Sequence, residues 1–130
     1  MSVTKMWTSQ ADFEDWTWTN ADLDTTAGSV LVEEGQVMAE GTSPVYEFTT
    51  ATRHSRAVFA GNVPEGANIV CRYRVGATEV ACEAASYSGW FNGLYGEGQA
   101  EIDLMVDMLN RSLDPAAAFF VQWQVRLYAG

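Results

Sequence analysis

Apolar and polar residues alternate singly along several stretches of this chain. No long segment keeps apolar positions at the 3.6-residue spacing of a helix bounded by caps. Alternation of this kind marks a strand with one buried face. The clearest case is residues 119–128, where Phe119, Val121, Trp123, Val125 and Leu127 share one face and Phe120, Gln122, Gln124, Arg126 and Tyr128 the other. This strand is expected to cross the middle of a sheet. Residues 68–75 turn Ile69, Cys71, Tyr73 and Val75 to one side and Arg72 and Arg74 to the other. Val121, Trp123, Val125 and Leu127 are therefore expected to be buried against Ile69 and Tyr73. Residues 101–109 place Ile102, Leu104, Val106 and Met108 inward and Glu101, Asp103 and Asp107 outward, although helix formers are frequent there and a short helix competes.

Shorter strands are expected over residues 29–33, 36–39, 45–49 and 56–59. Turn-forming clusters separate them: Thr25-Thr26-Ala27-Gly28, Glu33-Glu34-Gly35, Gly61-Asn62-Val63-Pro64-Glu65-Gly66 and Asp114-Pro115. Short strands at this turn spacing describe an all-β fold, an antiparallel β-sandwich or jelly roll, rather than a parallel sheet. With 130 residues the chain fits a single domain, 1–130, with no internal repeat or linker. A core of that size folds without a metal or a disulfide, and no cofactor is expected.

One stretch breaks the alternation. Residues 84–99 thread Gly89, Gly93, Gly96 and Gly98 between the rings of Tyr87, Trp90, Phe91 and Tyr95. A flexible backbone carrying large rings is expected to contact something. Trp90 is expected to close the end of the sandwich, and Phe91 and Tyr95 to meet protein neighbours. Trp16 and Trp18, two apart, project to one face if residues 15–19 are extended. Trp16, Trp18, Trp90, Phe91 and Tyr95 are thus the candidate contact residues, for a protein or a glycan. At least half of such rings are expected to serve packing alone.

Charge narrows the classes of partner. Seven basic residues against seventeen acidic ones give a net charge of −10. A single lysine, Lys5, and six scattered arginines offer no patch that collects phosphates, so neither nucleic acid nor an anionic membrane surface is expected as a partner. The longest apolar run, residues 116–121, falls far short of the roughly 20 residues of a membrane span. Asp12, Glu14 and Asp15 stand where a signal peptide needs unbroken apolar sequence, so no export signal is expected. Asn110-Arg111-Ser112 then matches the glycosylation sequon by chance. Cys71 and Cys82 lie symmetrically about Gly76-Ala77 and face each other if those two residues close a tight hairpin. Two reduced thiols in a β core are expected, with a cross-strand disulfide as the alternative.

Catalytic chemistry finds little support. The single histidine, His54, lies between Arg53 and Arg56 with no orienting partner in view, and no Gly-x-Ser-x-Gly elbow occurs. Glu101 and Asp103 on one strand face would stand about 7 Å apart, within the approximate range of inverting glycosidases. Acids alternating on an exposed strand face more commonly solvate a sheet and discourage edge pairing. Asn20-Ala21-Asp22-Leu23-Asp24 lacks the third ligand, the glycine and the distal glutamate of a calcium loop, which leaves only an incidental ion near Asp22 and Asp24 open.

Several segments carry a likeness to a known family. Asp12-Phe13, Asp24-Thr25-Thr26, Gly28-Ser29-Val30 and Gly41-Thr42-Ser43-Pro44-Val45-Tyr46-Glu47-Phe48 stand in the first half. They are followed by residues 63–78, by Trp90, and by Phe119-Phe120-Val121-Gln122-Trp123-Gln124-Val125-Arg126-Leu127. This succession resembles the jelly-roll β-sandwich domains of tailed-bacteriophage virion proteins, over roughly residues 12–128. Ala67 stands where threonine is common, Gln124 replaces the usual arginine before the terminal valine, and residues 111–118 replace a short glycine-arginine approach to the last strand. The resemblance implies a non-enzymatic structural component of the virion, a capsid decoration or tail-associated protein on the particle exterior. It implies assembly in the host cytoplasm as a symmetric homo-oligomer, a trimer favoured, alongside other virion proteins. Related sandwiches also bind carbohydrate, so a module recognising a host surface glycan is the alternative. The resemblance carries over no catalytic residue.

Overall fold

The computed structural model describes residues 10–24, 29–48, 56–62, 67–92, 97–103 and 119–129. Their fold is mostly β, with antiparallel pairing and two short helices. In chain order the elements are α1 (Gln10–Glu14), β1 (Thr17–Thr19), β2 (Ala21–Asp24), β3 (Ser29–Val32), β4 (Met38–Thr42), β5 (Tyr46–Glu47) and β6 (Arg56–Asn62). There follow β7 (Asn68–Gly76), α2 (Glu79–Ala84), β8 (Phe91–Asn92), β9 (Glu97–Asp103) and β10 (Phe120–Tyr128).

The main sheet runs β1-β4-β10-β7-β8, with β5 also against β10. As the alternation predicts, β10 is its central strand. Every one of its nine residues is in register with β7, from Phe120 opposite Gly76 to Tyr128 opposite Asn68. On its other edge it pairs with β4 through residues 124–128 and with β5 through Phe120 and Val121. Pro44 has no backbone N–H to give to a ladder, and there the chain leaves the strand. Ser43 repairs the gap: its N–H donates to the Trp123 carbonyl at 2.8 Å, and its hydroxyl accepts the Trp123 N–H at 2.9 Å.

One face of this sheet carries the core. Trp16, Cys71, Tyr73, Val75, Val121 and Val125 are buried together, and Phe13, Trp18, Tyr46, Phe48, Phe91 and Trp123 pack partly buried against them. Tyr73 is 0% and Val121 1% exposed, and the Tyr73 and Trp123 rings stack at 5.2 Å. Ile69 and Leu127 stay half-buried because they pair near the end of the two strands. Trp18 lies opposite Gly41, and its ring covers the space a side chain there would fill.

The cysteines do not flank a hairpin. β7 ends at Gly76, and Thr78 then caps α2, its hydroxyl accepting the Ala81 N–H at 3.1 Å. Cys71 is opposite Val125 on the sheet, whereas Cys82 is on the helix, and both are free, buried thiols. Gly76 has no left-handed backbone to accommodate, because Gly35 is the glycine with positive φ among the described residues. Its role is proximity: a Cβ there would lie 2.3 Å from the backbone nitrogen of Cys82.

Two further antiparallel pairs lie outside the main sheet, β2 with β3 and β6 with β9. The strand expected at 101–109 begins earlier, as β9, and residues 104–110 lie outside the described residues, as do His54, Tyr95 and the sequon.

Candidate functional site

The face of the main sheet turned away from the core holds the described polar chemistry. Period-two alternation sends Glu40 and Thr42 of β4, Gln122, Gln124 and Arg126 of β10, and Arg72 and Arg74 of β7 to this side. Across the strands they form one network. Arg72 Nε donates to Gln124 Oε1 at 2.7 Å, and Gln124 Nε2 in turn donates to Glu40 Oε1 at 3.0 Å and Thr42 Oγ1 at 3.2 Å. Arg126 Nε donates to Glu40 Oε2 at 2.8 Å, an ion pair whose two side chains are about a third exposed. Arg74 donates from Nε and Nη2 to Gln122 Oε1 at 2.9 and 2.6 Å, and Gln122 Nε2 passes the chain of bonds to the Ser43 carbonyl at 2.9 Å. Gln124 is buried, and its amide is satisfied by residues from both neighbouring strands.

Two rings complete the row. After α2 the chain returns along the free edge of β7. Ser88 N–H donates to the Tyr73 carbonyl at 2.8 Å, Tyr73 N–H donates to Ser88 Oγ at 3.1 Å, and Phe91 and Asn92 pair with Cys71 and Val70. The alternation on this returning segment decides where each ring goes. Phe91, opposite Cys71, turns to the core side and lies 6.4 Å from the Tyr73 ring. Trp90 turns to the opposite side. There the Arg72 guanidinium is 4.4 Å from the centroids of both Tyr87 and Trp90, Arg74 is 4.5 Å from Tyr87, and Arg126 is 4.3 Å from Trp90. The contacts thus run Arg74, Tyr87, Arg72, Trp90, Arg126 across the sheet. Each is within the range in which a cation is attracted to a ring face, about 0.5–1 kcal/mol when exposed and about 2 kcal/mol when desolvated. Burial raises the Tyr87 phenol above its ordinary pKa, and Arg74 and Arg72 oppose that rise. The hydrogen bond to Glu40 holds Arg126 above its ordinary value.

The described candidates Trp16, Trp18, Trp90 and Phe91 therefore do not form one platform. Trp16 and Trp18 stack on each other at 5.7 Å within the core cluster, beside Phe13, and Trp18 Nε1 donates to the Phe13 carbonyl at 2.8 Å. Phe91 belongs to the same core side. Trp90 does not close the end of a sandwich: it lies over the outer sheet face, because the returning segment pairs with β7 and the pleat sends it there. The arginines are not all scattered, since three of the six meet in this row. Sequence reasoning placed Arg72 and Arg74 outward, but Arg126 and the rings join them only through strand order. Asp22 and Asp24 sit two apart on β2, opposite Leu31 and Ser29. Among the described residues no group of three or more His, Cys, Asp and Glu is placed to hold a metal ion, and no helix is long and apolar enough to cross a membrane. Comparison with known protein families, with curated proteins and with solved structures finds no match to this chain.

Proposed function

We propose that this chain is a non-enzymatic structural component of a tailed-phage virion, a jelly-roll sandwich displayed on the capsid or tail exterior and acting through protein contacts. The observation that carries this is the outer row itself. Its charged groups are tied to one another and to the sheet, with Arg126 on Glu40, Arg72 on Gln124 and Arg74 on Gln122. Such a row holds shape and presents arginine, tyrosine and tryptophan, the side chains that dominate protein interfaces. No described acid and base converge there on a point where a substrate bond would sit. The sequence resemblance supports the same reading. The β6–β9 pair, antiparallel and outside the main sheet, suits the second layer of such a sandwich.

Glycan binding is the second reading, and it rests on Trp90. A pyranose stacking on that ring competes with the two guanidiniums already within 4.4 Å of it. Trp16 and Trp18 are engaged in the core, which removes the pair from a sugar platform. The test is to purify particles from cells expressing the chain with its genomic neighbours and to locate it by mass spectrometry and particle reconstruction. Density for the chain on the particle surface is the expected result. Its absence from particles, together with retention on a host polysaccharide column, would replace the first reading with the second.

A further inference from the structure

The outer row is a local excess of positive charge on an acidic protein. Arg72, Arg74 and Arg126 against Glu40 make +2, so a chain of net −10 carries −12 elsewhere. The row is also fixed before any partner arrives. Arg72 is held through Nε, and its two terminal nitrogens have no hydrogen-bond partner among the described residues. A guanidinium held by one edge is oriented for a carboxylate at little further cost in side-chain entropy. Trp90 between Arg72 and Arg126 adds a rigid apolar surface at the centre.

We infer that this outer face of β4, β10 and β7 docks a second copy of this chain, with the Arg72 and Arg126 guanidiniums receiving carboxylates of the neighbour. The inference rests on the reading of the chain as a contact-making component, and it adds the surface. Charge decides the occupant. The surface of another copy outside the row is rich in carboxylates, as the twelve surplus negative charges require. Two rows cannot lie directly against each other, because that would set guanidiniums against guanidiniums. The contact is therefore row against acidic surface, made either twice about a two-fold axis in a dimer or head to tail in a ring.

The experiment is sedimentation velocity with light scattering on the full chain at ionic strengths of about 0.1 M and about 1 M, where the Debye length falls from about 10 Å to about 3 Å. The expected result is an oligomer at low salt that dissociates at high salt. In Arg72→Gln/Arg126→Gln the same conditions should give monomer, with the near-ultraviolet circular dichroism of the wild type retained. Hydroxyl-radical footprinting of the wild type supplies a readout that needs no variant: Tyr87 and Trp90 should be protected several-fold in the assembled form relative to the high-salt form. A wild type that is monomeric at both salts, an oligomer unchanged in the double variant, or rings unprotected on assembly each overturns the inference. So does binding of polygalacturonate at the row in place of self-association. A monomer that still enters particles ends this inference alone. A salt-labile oligomer that never enters particles ends the virion reading alone.

Discussion

Replacing Gly76 by alanine tests how α2 is seated on the sheet. The added methyl carbon would stand 2.3 Å from the Cys82 nitrogen, 2.7 Å from its Cα and 2.8 Å from the Ala81 carbonyl carbon. Ordinary van der Waals contact begins at 3.4 Å, so α2 has to retreat by about 1.1 Å. These are backbone atoms of a capped helix, and no side chain can swing aside to relieve them. The retreat lengthens the Cys82 Sγ to Arg74 carbonyl contact, now 3.6 Å, and the Arg74 Nη1 bond to the Glu83 carbonyl, now 2.7 Å. It also opens space beside the fully buried Cys82. Overpacking of a well-packed site costs about 1–3 kcal/mol, and a clash with rigid backbone belongs at the upper end. Stiffening of the unfolded chain returns about 0.4–1 kcal/mol. The net expectation is a loss of about 2 kcal/mol, read as a lowered urea midpoint with an unchanged slope. Gly89→Ala is the control, because nothing lies within 4 Å of a Cβ there and its φ is not positive. That variant should stay within about 0.5 kcal/mol of wild type. Equal midpoints for the two variants would refute the close seating of α2 on β7.

Ser43→Ala should cost about 1–3 kcal/mol in the same assay, because it strips the hydroxyl acceptor from the Trp123 N–H beside a proline that cannot continue the ladder. Tyr73→Ala, at the centre of the core, should cost about 3–5 kcal/mol and abolish the near-ultraviolet signal of its stack with Trp123. Burial pushes the Cys71 thiol up to about 12 and the Cys82 thiol up to about 11, so neither should react with a thiol reagent at pH 8 until the protein is unfolded. Both thiols keep their protons in the folded state after the unfolded chain has lost them. Stability should therefore fall as pH rises above about 9, by at most about 1.4 kcal/mol per unit for each thiol. A Cys71→Ser/Cys82→Ser variant should flatten that alkaline slope, measured by urea titration between pH 8 and pH 10.

The strands that could be read from the sequence are those the core compels to alternate. β7 and β10 each bury one side against the same cluster, so Tyr73 and Val125 declare their faces without help from the rest of the chain. The helices left no such mark. α2 is six residues long and buries one of them, Cys82, which is too little for a helical stripe to show. The symmetry of Cys71 and Cys82 about Gly76-Ala77 suggested a turn, whereas the glycine answers to the approach of α2 and Thr78 to the needs of a helix cap. The outer row is illegible for another reason. Arg72 and Arg126 belong to segments far apart in the chain, and only the antiparallel register of β7 with β10, plus the returning edge segment, brings Trp90 between them.

The placement of β10 also fixes when the sheet can exist during synthesis. Gln124 joins Glu40 across 84 residues of chain and Arg72 across 52. At a translation rate of about 5–20 residues per second, β4 waits about 4–17 s for β10, its partner on the side away from β1. Through that interval β4 and β7 are nascent edges with unfilled backbone donors and acceptors, open to like edges on neighbouring ribosomes. Glu40 and Arg74 put charge on those edges, and Pro44 interrupts the first of them, which are ordinary means of discouraging strand-to-strand aggregation. The same residues that later lock the outer face thus act earlier as guards, and shifting their charge should show first in the yield of soluble protein from rapid expression rather than in the stability of the finished fold.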